Sequence, residues 1–269
     1  MAMRDAEAEP EIGSDRNFVT ALARGLEVLR CFRPNEASLS NSDIAQRTGL
    51  PRPTVTRLTH TLCQLDYLVH MEASGKYRLG AGVLRLGYGV LAGIDMASRA
   101  AEVMRILHEE GPNPNTTVAF GERHRLGVIY TAVHRSTGDV SLTLNVGARL
   151  PLFHSAIGRA LICALPEAVR ARLLAQAEAE GREDMDGVRR GLDAAAEEYA
   201  RHGYCSSFGE WRPTISGIAV PILSLDGDRF FAMNVGAPSF LITPEELRDS
   251  YGPRLVAAGR ALSDIPGRL

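Results

Sequence analysis

Apolar residues recur at helical spacing along the first third of the chain, and the polar positions between them mark where each helix starts and stops. Leu22, Leu26 and Leu29 form a stripe running from residue 20 to about residue 32, with Thr20 as cap and Arg33-Pro34-Asn35 as the stop. A second helix begins at Ser40, which can cap it. Asp43 stands three residues on, where a carboxylate reaches back to the cap, and Leu39 and Ile44 occupy the positions of a hydrophobic staple. Gly49-Leu50-Pro51 ends this helix, and a third follows with Pro53 in its first turn, where a missing N–H costs little. Val55, Leu58, Leu62 and Leu65 give the third helix one buried stripe. Its opposite face carries Thr56, Arg57, His60 and Gln64, with Arg52 and Thr54 near the start, and is free of acids. A helix–turn–helix needs such a face to enter a DNA major groove. An ordinary helical hairpin inside an enzyme has the same local pattern.

After Asp66 the period shortens from helical to alternating. Residues 67–71 and 77–79 read as two strands around a turn at 72–76, closed by Gly80, which makes a β-hairpin wing. Lys76 and Arg78 lie at or beside its tip, where phosphate contact is geometrically easy. Three helices and a wing form a much narrower constellation than two helices alone. Residues 81–94 return to helix with Val83, Leu84, Leu86, Val90 and Leu91, too apolar for a solvated connector. The preferred reading is a linker helix that pairs with a second copy, since a two-headed DNA reader needs its copies at fixed spacing.

The helical pattern continues over 95–110 with Met96, Ala100, Val103, Met104 and Leu107, until the Gly- and Pro-containing run 109–115 breaks it. Strands are then expected at 116–120, 127–133, 140–146, 215–223 and 230–235, with a turn at 121–126. Helices are expected at 155–165, 169–180, 185–202 and 244–262, the last capped by Thr243 with Glu246 completing a capping box. Antiparallel strands mixed with helices indicate an α+β fold. The expected organisation is a disordered acidic tail (1–17), a winged helix–turn–helix (18–80), a linker helix (81–94) and a second domain (95–269).

Composition sharpens this picture in three ways. With 269 residues, 45% of them hydrophobic, the chain can build two ordinary cores. The net charge of -2 excludes a basic nucleic-acid coat, yet residues 18–80 hold eight Arg and Lys against five Asp and Glu. A modest positive balance suits a dimeric DNA reader, which doubles it. Cys31, Cys63, Cys163 and Cys205 are scattered without a C-x-x-C pair and read as buried thiols in a reducing compartment. The start lacks the apolar segment of a signal peptide, and no apolar run approaches membrane-spanning length, so a cytoplasmic protein without membrane contact is expected.

FVTALARGLEVLRCF, SDIAQRTGLPRPTVTRLTHTL and the wing ending in YRLG together resemble the DNA-binding domain of IclR-type bacterial transcriptional regulators. The first block looks most like the branch that governs breakdown of aromatic acids. The similarity continues through RLPLFHSAIGRALIC and GIAVPI and covers roughly residues 17–265. It implies a GAF-like effector-binding fold for the second domain and a homodimer or dimer of dimers.

The local chemistry of that domain gathers before 155–165. Small residues at a helix start leave backbone N–H groups open, and Ser155 adds a hydroxyl, which makes a natural carboxylate site. A capped helix whose Gly158 allows close packing is the plainer alternative. The resemblance places the effector pocket on this segment and, residue by residue, at Ala156, Ile157, Ser207, Gly217, Asn234 and Gly236. Ser207 stands where many relatives have an acid, and Gly217 where glyoxylate- or pyruvate-sensing relatives have cysteine. Fewer charges and a smaller residue point to a roomier pocket for an aromatic or otherwise larger carboxylate. Trp211, close by in sequence, reads as packing more than lining.

Other chemistries find less support. The histidines show no ligand-pair spacing, so neither a metal nor a cofactor is expected. His154 beside Ser155 does not make a triad, because adjacent side chains diverge and no orienting acid is evident. No G-x-S-x-G, P-loop or dinucleotide turn is present. The expectation is therefore a dimeric regulator of operator DNA, not an enzyme, switched by a small organic, preferably aromatic, carboxylate. Arg52, Thr54, Thr56 and Arg57 should meet bases or phosphates, and Ser40, Lys76 and Arg78 mainly phosphates. The alternatives are an enzyme acting on a small organic acid with an N-terminal partner-binding module, and a constitutive architectural DNA binder.

Overall fold

The computed structural model describes residues 17–33, 36–92, 95–135, 144–181, 183–224 and 227–263. Residues 1–16 of the expected tail and most of the strand expected at 140–146 lie outside these. The chain divides into two compact units, Met1–Gly93 and Ile94–Leu269.

The first unit contains α1 (Thr20–Arg30), α2 (Asn41–Thr48), α3 (Arg52–Gln64), the strands β1 (Leu68–Met71) and β2 (Lys76–Leu79), and α4 (Ala81–Ala92). Its core is Val28, Leu39, Ile44, Val55, Leu62 and Leu68. The start of α2 is a complete capping box. The Ser40 hydroxyl accepts from Asp43 N at 3.2 Å, and Ser40 N and Oγ both donate to Asp43 Oδ2, at 2.9 and 2.8 Å. Those two bonds hold the Asp43 carboxyl below the usual carboxylate range. Leu39 and Ile44, the staple pair, are both buried. Gly49 ends α2 at φ 69°, a left-handed conformation that only a residue without Cβ adopts freely. β1 and β2 pair antiparallel from Leu68↔Leu79 to Met71↔Lys76, and Tyr77 also exchanges both backbone hydrogen bonds with Leu39. The wing is thereby pinned to the segment that enters α2.

Three local expectations differ from this arrangement. Val19, not Thr20, precedes α1, with no side-chain cap bond. Within the α1 stripe Leu22 and Leu26 are exposed, and Val28 provides the buried anchor instead. On α3, Leu65 is exposed because the chain has already left helical geometry there. Thr59 takes an inward position, its hydroxyl satisfied by Thr56 O at 3.1 Å.

The second unit begins with α5 (Asp95–Glu109) and β3 (Thr117–His124), β4 (Gly127–Arg135) and β5 (Arg149–Pro151). α6 (Ala156–Ala164), α7 (Glu167–Glu180) and α8 (Met185–His202) follow. β6 (Cys205–Phe208), β7 (Ile215–Leu223) and β8 (Phe230–Pro238) then complete one antiparallel sheet in the order β5-β4-β3-β8-β7-β6. Alternation along the strands makes its two faces different. Val118 and Phe120, Ile218, Val220 and Ile222, and Phe231, Met233 and Val235 pack with α5 and the C-terminal helix. The intervening Ala119, Ala219 and Ala232 pack with α6 and α8. The α+β layering agrees with the sequence reading. Toward α6 the three central strands thus present alanines, with the bulkier Val128 and Tyr130 beside them on β4.

The expected turn at 121–126 shrinks to Arg125-Leu126, and β3 runs through Gly121. Gly121 marks a register shift where a Cβ would lie 2.7 Å from Ile129 O, so close backbone approach, not a turn, requires it. The final helix is not continuous. α9 (Pro244–Glu246) passes through a π turn at Leu247–Tyr251 into α10 (Gly252–Ser263). Pro253 has no N–H to give a regular α-helical ladder at that point. Thr243 does cap the start, accepting from Glu246 N at 3.1 Å.

Candidate functional site

The exposed face of α3 is positioned by α2. Asn41 Nδ2 donates to Thr56 Oγ1 at 3.3 Å, and the Thr56 hydroxyl donates to Arg52 O at 3.0 Å. Thr56 therefore fixes the angle between the two helices with its proton already used. Ser40 has likewise spent both its donors on Asp43 and has none left for phosphate. Among the described residues the Arg52 and Arg57 guanidiniums make no hydrogen bond or ion pair, and both residues are exposed. Lys76, expected at the wing tip, is the first residue of β2 and exposed. Arg78 faces its own backbone, with Nη1 3.2 Å from Leu79 O.

In the second unit, Ser155, Ala156, Ile157, Ser207, Gly217, Asn234 and Gly236 line one pocket, together with Tyr130, Leu150, Trp211 and Ser216. It lies between the start of α6 and the small-residue face of the sheet. Gly217 and Gly236 are cross-strand partners, and a Cβ on either would stand 3.0–3.1 Å from a neighbouring carbonyl oxygen. Ser155 caps α6, accepting from Gly158 N at 3.2 Å and donating to Pro151 O at 2.6 Å. Gly158 lets the loop pass beneath, since its Cβ would come 2.1 Å from Leu152 O. The N–H groups of Ala156 and Ile157 are left without intrahelical acceptors. Opposite in character is Asn234, 8% exposed, whose Oδ1 is buried and has no hydrogen-bond partner. Its side chain lies beside the buried Tyr130 phenol in the pocket lining. Burial pushes that phenol up and the polar Asn234 side chain offsets it only in part, so Tyr130 stays neutral.

Family models place both units. The IclR helix-turn-helix domain matches residues 21–71 and the bacterial transcriptional regulator IclR C-terminal domain matches residues 88–264. The chain belongs to the IclR family of bacterial transcriptional regulators. The HTH-type transcriptional regulator TsaQ1/TsaQ2 of Comamonas testosteroni is 31% identical over 244 residues, 90% of this chain and 86% of that protein. The crystal structure of an IclR family transcriptional regulator from Brucella abortus is similar at TM-score 0.82 and 41% identity, covering 96% of this chain and 95% of that one. An IclR homologue from Microbacterium hydrocarbonoxydans, solved in complex with 4-hydroxybenzoate, shares the fold at TM-score 0.67 and 23% identity, covering 90% and 97%.

Within this IclR-type pocket several features depart from expectation. The space is tight, a cavity of about 30 Å³. That accommodates one or two waters, not a ring, so the wall must move for an aromatic ligand. The expected roominess does not arise because Gly217 and Gly236 face sheet backbone, where a Cβ would stand 3.0–3.1 Å from a carbonyl oxygen, so the missing side chains open little space. Trp211 does both, packing against the core beside α6 as expected and lining the pocket as well. A larger cavity of about 420 Å³, which Trp211 also borders, carries Arg149 and His154 but three carboxylates, Glu180, Glu183 and Glu210. It is poorly suited to an anion. His154 does have an acid, with Nε2 2.8 Å from Glu183 Oε2. The adjacent Ser155 hydroxyl is nevertheless committed to the cap.

Arg159 was not foreseen, although a lone cation in the run AIGRALICA is a visible signal. It is buried on α6, donating from Nε to Phe153 O at 3.2 Å and from Nη1 to Ser206 O at 2.9 Å and Glu210 Oε1 at 3.2 Å. Burial raises the Glu210 carboxyl, but its own backbone N–H and Arg159 outweigh this and hold it below the usual range. Ser207 Oγ donates to His154 O at 2.7 Å, and Glu198 takes Ser206 N and Oγ at 2.6 and 2.7 Å. These bonds staple β6 to the start of α6 and hold the pocket wall.

Proposed function

We propose that this IclR regulator binds operator DNA in the cytoplasm as a dimer or dimer of dimers and is switched by a hydroxylated aromatic carboxylate. Arg52, Thr54 and Arg57 read bases or phosphates in the major groove, while Lys76 and Arg78 hold the backbone. Ser40 and Thr56 act by positioning α2 and α3. The apolar side chains that α1 and α4 leave exposed, Leu22 and Leu26, and Leu84, Leu86 and Tyr88, are the natural surface for the second copy.

The observation that carries the effector reading is what hydrogen-bonding capacity remains unspent in the pocket. Two backbone donors stand at the start of α6, and one acceptor, Asn234 Oδ1, is orphaned. The donors and the helix dipole accept a carboxylate. The orphaned oxygen asks for a hydroxyl that donates. 4-Hydroxybenzoate, the molecule bound to the Microbacterium homologue, has both groups. Calorimetric titration of the full chain with 4-hydroxybenzoate, benzoate and glyoxylate tests this. Affinity should fall in that order. Binding of glyoxylate alone would exclude the aromatic class.

A further inference from the structure

Two of the four free cysteines, 42 residues apart in sequence, meet in space. Cys163, in the last turn of α6, and Cys205, the first residue of β6, have their sulfurs 3.6 Å apart. Cys205 is fully buried and Cys163 only partly so. Among the described residues no third sulfur joins them, and Cys31 and Cys63 lie in the other unit. Cys205 Sγ lies 3.6 Å from both Cys163 Sγ and Ala195 O; its contact with Cys163 and the nearby Arg170 and Arg159 outweigh burial and hold the Cys163 thiol below its ordinary value. The same contact and burial push Cys205 up. One sulfur is thus the accessible nucleophile and the other the buried partner beside it, the arrangement of a redox-responsive pair. Closing the bond needs the sulfurs to approach to about 2.05 Å, a short movement for two side chains already in contact.

We propose that Cys163 and Cys205 form a reversible intrachain disulfide when the protein meets a hydroperoxide. The Cys163 thiolate attacks the peroxide O–O bond, forming an S–O bond and releasing hydroxide, or alkoxide from an organic peroxide. Cys205 then gives up its proton and attacks the Cys163 sulfur, forming S–S and expelling the sulfenic oxygen as water. With hydrogen peroxide, two thiols become one disulfide and the peroxide becomes two waters. In a reducing compartment such bonds are transient, which suits signalling more than structure.

The bond would tie the two elements that carry Ser155–Ile157 and Ser207. Because a ring enters the pocket only if its wall moves, the oxidised protein binds its effector more weakly. This consequence rests on the effector reading above; the disulfide itself does not.

Stoichiometric hydrogen peroxide on the full chain, followed by alkylation, intact mass and peptide mapping, tests the bond. The expected result is a loss of about two mass units and of two alkylatable thiols, a Cys163–Cys205 linked peptide, and full reversal by dithiothreitol. In Cys205→Ser the reaction should stop at a sulfenic acid on Cys163, and in Cys163→Ser neither position should react. Four alkylatable thiols after treatment, direct passage of Cys163 to sulfinic acid, or a link through Cys31 or Cys63 would overturn the proposal. Titration with 4-hydroxybenzoate before and after oxidation then reads the coupling, with affinity falling on the order of tenfold. Equal affinities would remove the coupling and leave the bond. Absence of binding in the reduced protein would refute the effector reading instead.

Discussion

Asn234→Ala separates what this residue does for the fold from what it does for recognition. Asn234 is 8% exposed, its Oδ1 has no partner, and its side chain is the polar group that offsets the burial of the Tyr130 phenol. An unpartnered buried acceptor costs about 1–3 kcal/mol, and the substitution removes that cost. It also takes the polar neighbour away from the Tyr130 hydroxyl, at a similar cost of about 1–3 kcal/mol. The two nearly cancel, so the unfolding free energy should move by no more than about 1 kcal/mol. Adding Tyr130→Phe should recover part of any loss. Recognition has no such cancellation. A neutral hydrogen bond is worth about 0.5–1.5 kcal/mol net, so the affinity for 4-hydroxybenzoate should fall by roughly 2- to 13-fold. Benzoate, which has no hydroxyl to donate, should bind as before. Calorimetry on both ligands measures the ratio directly. If both affinities fall together, Asn234 supports the pocket's shape and the hydroxyl argument is wrong.

Three further outcomes follow from named contacts. Ser40→Ala removes the capping box and should destabilise the first unit by about 1 kcal/mol, read by denaturant unfolding. At saturating folded protein, the salt dependence of DNA binding should not change, whereas Lys76→Ala should lower the salt slope by about one. Arg159→Met strands the Phe153 and Ser206 carbonyls and should cost about 2 kcal/mol, since Glu210 is half in solvent and contributes little; a thermal shift within error would contradict it. The His108 imidazole is held below its ordinary value of 6.5 by burial and by His134, whose ring centroid is 5.1 Å away. The unfolded chain takes up that proton first, so stability is intact above pH 6.5 and is lost as pH falls through the folded value. Unfolding across this range should show the loss, and His134→Gln should shrink it.

The winged helix–turn–helix was legible because its signals are local. A capping box, a staple, a Gly49 stop and a change of period at Asp66 each act within a few residues. What escaped depended on partners far along the chain. The α1 leucines Leu22 and Leu26 have the period of a buried stripe but remain exposed, and periodicity cannot distinguish a face buried within one chain from a face left for another. β5 and β6 are only three and four residues long and exist because neighbouring strands hold them. The six residues that the family resemblance pointed to, and Ser155 at the helix start, line one pocket, yet no spacing in the sequence joins Ser155 to Asn234. The pocket's tightness, the Arg159 network and the Cys163–Cys205 contact are all properties of packing.

The central claim is that ligand in the second unit alters how the first holds DNA. Fluorescence anisotropy measures it, using the full chain and a site recovered from DNA the protein retains from its own genome, across a 4-hydroxybenzoate series at constant ionic strength. A saturable change in DNA affinity of roughly 5- to 150-fold is expected, with the half-saturating ligand concentration raised roughly 2- to 13-fold in Asn234→Ala. Superimposable DNA-binding curves at every ligand concentration would contradict it.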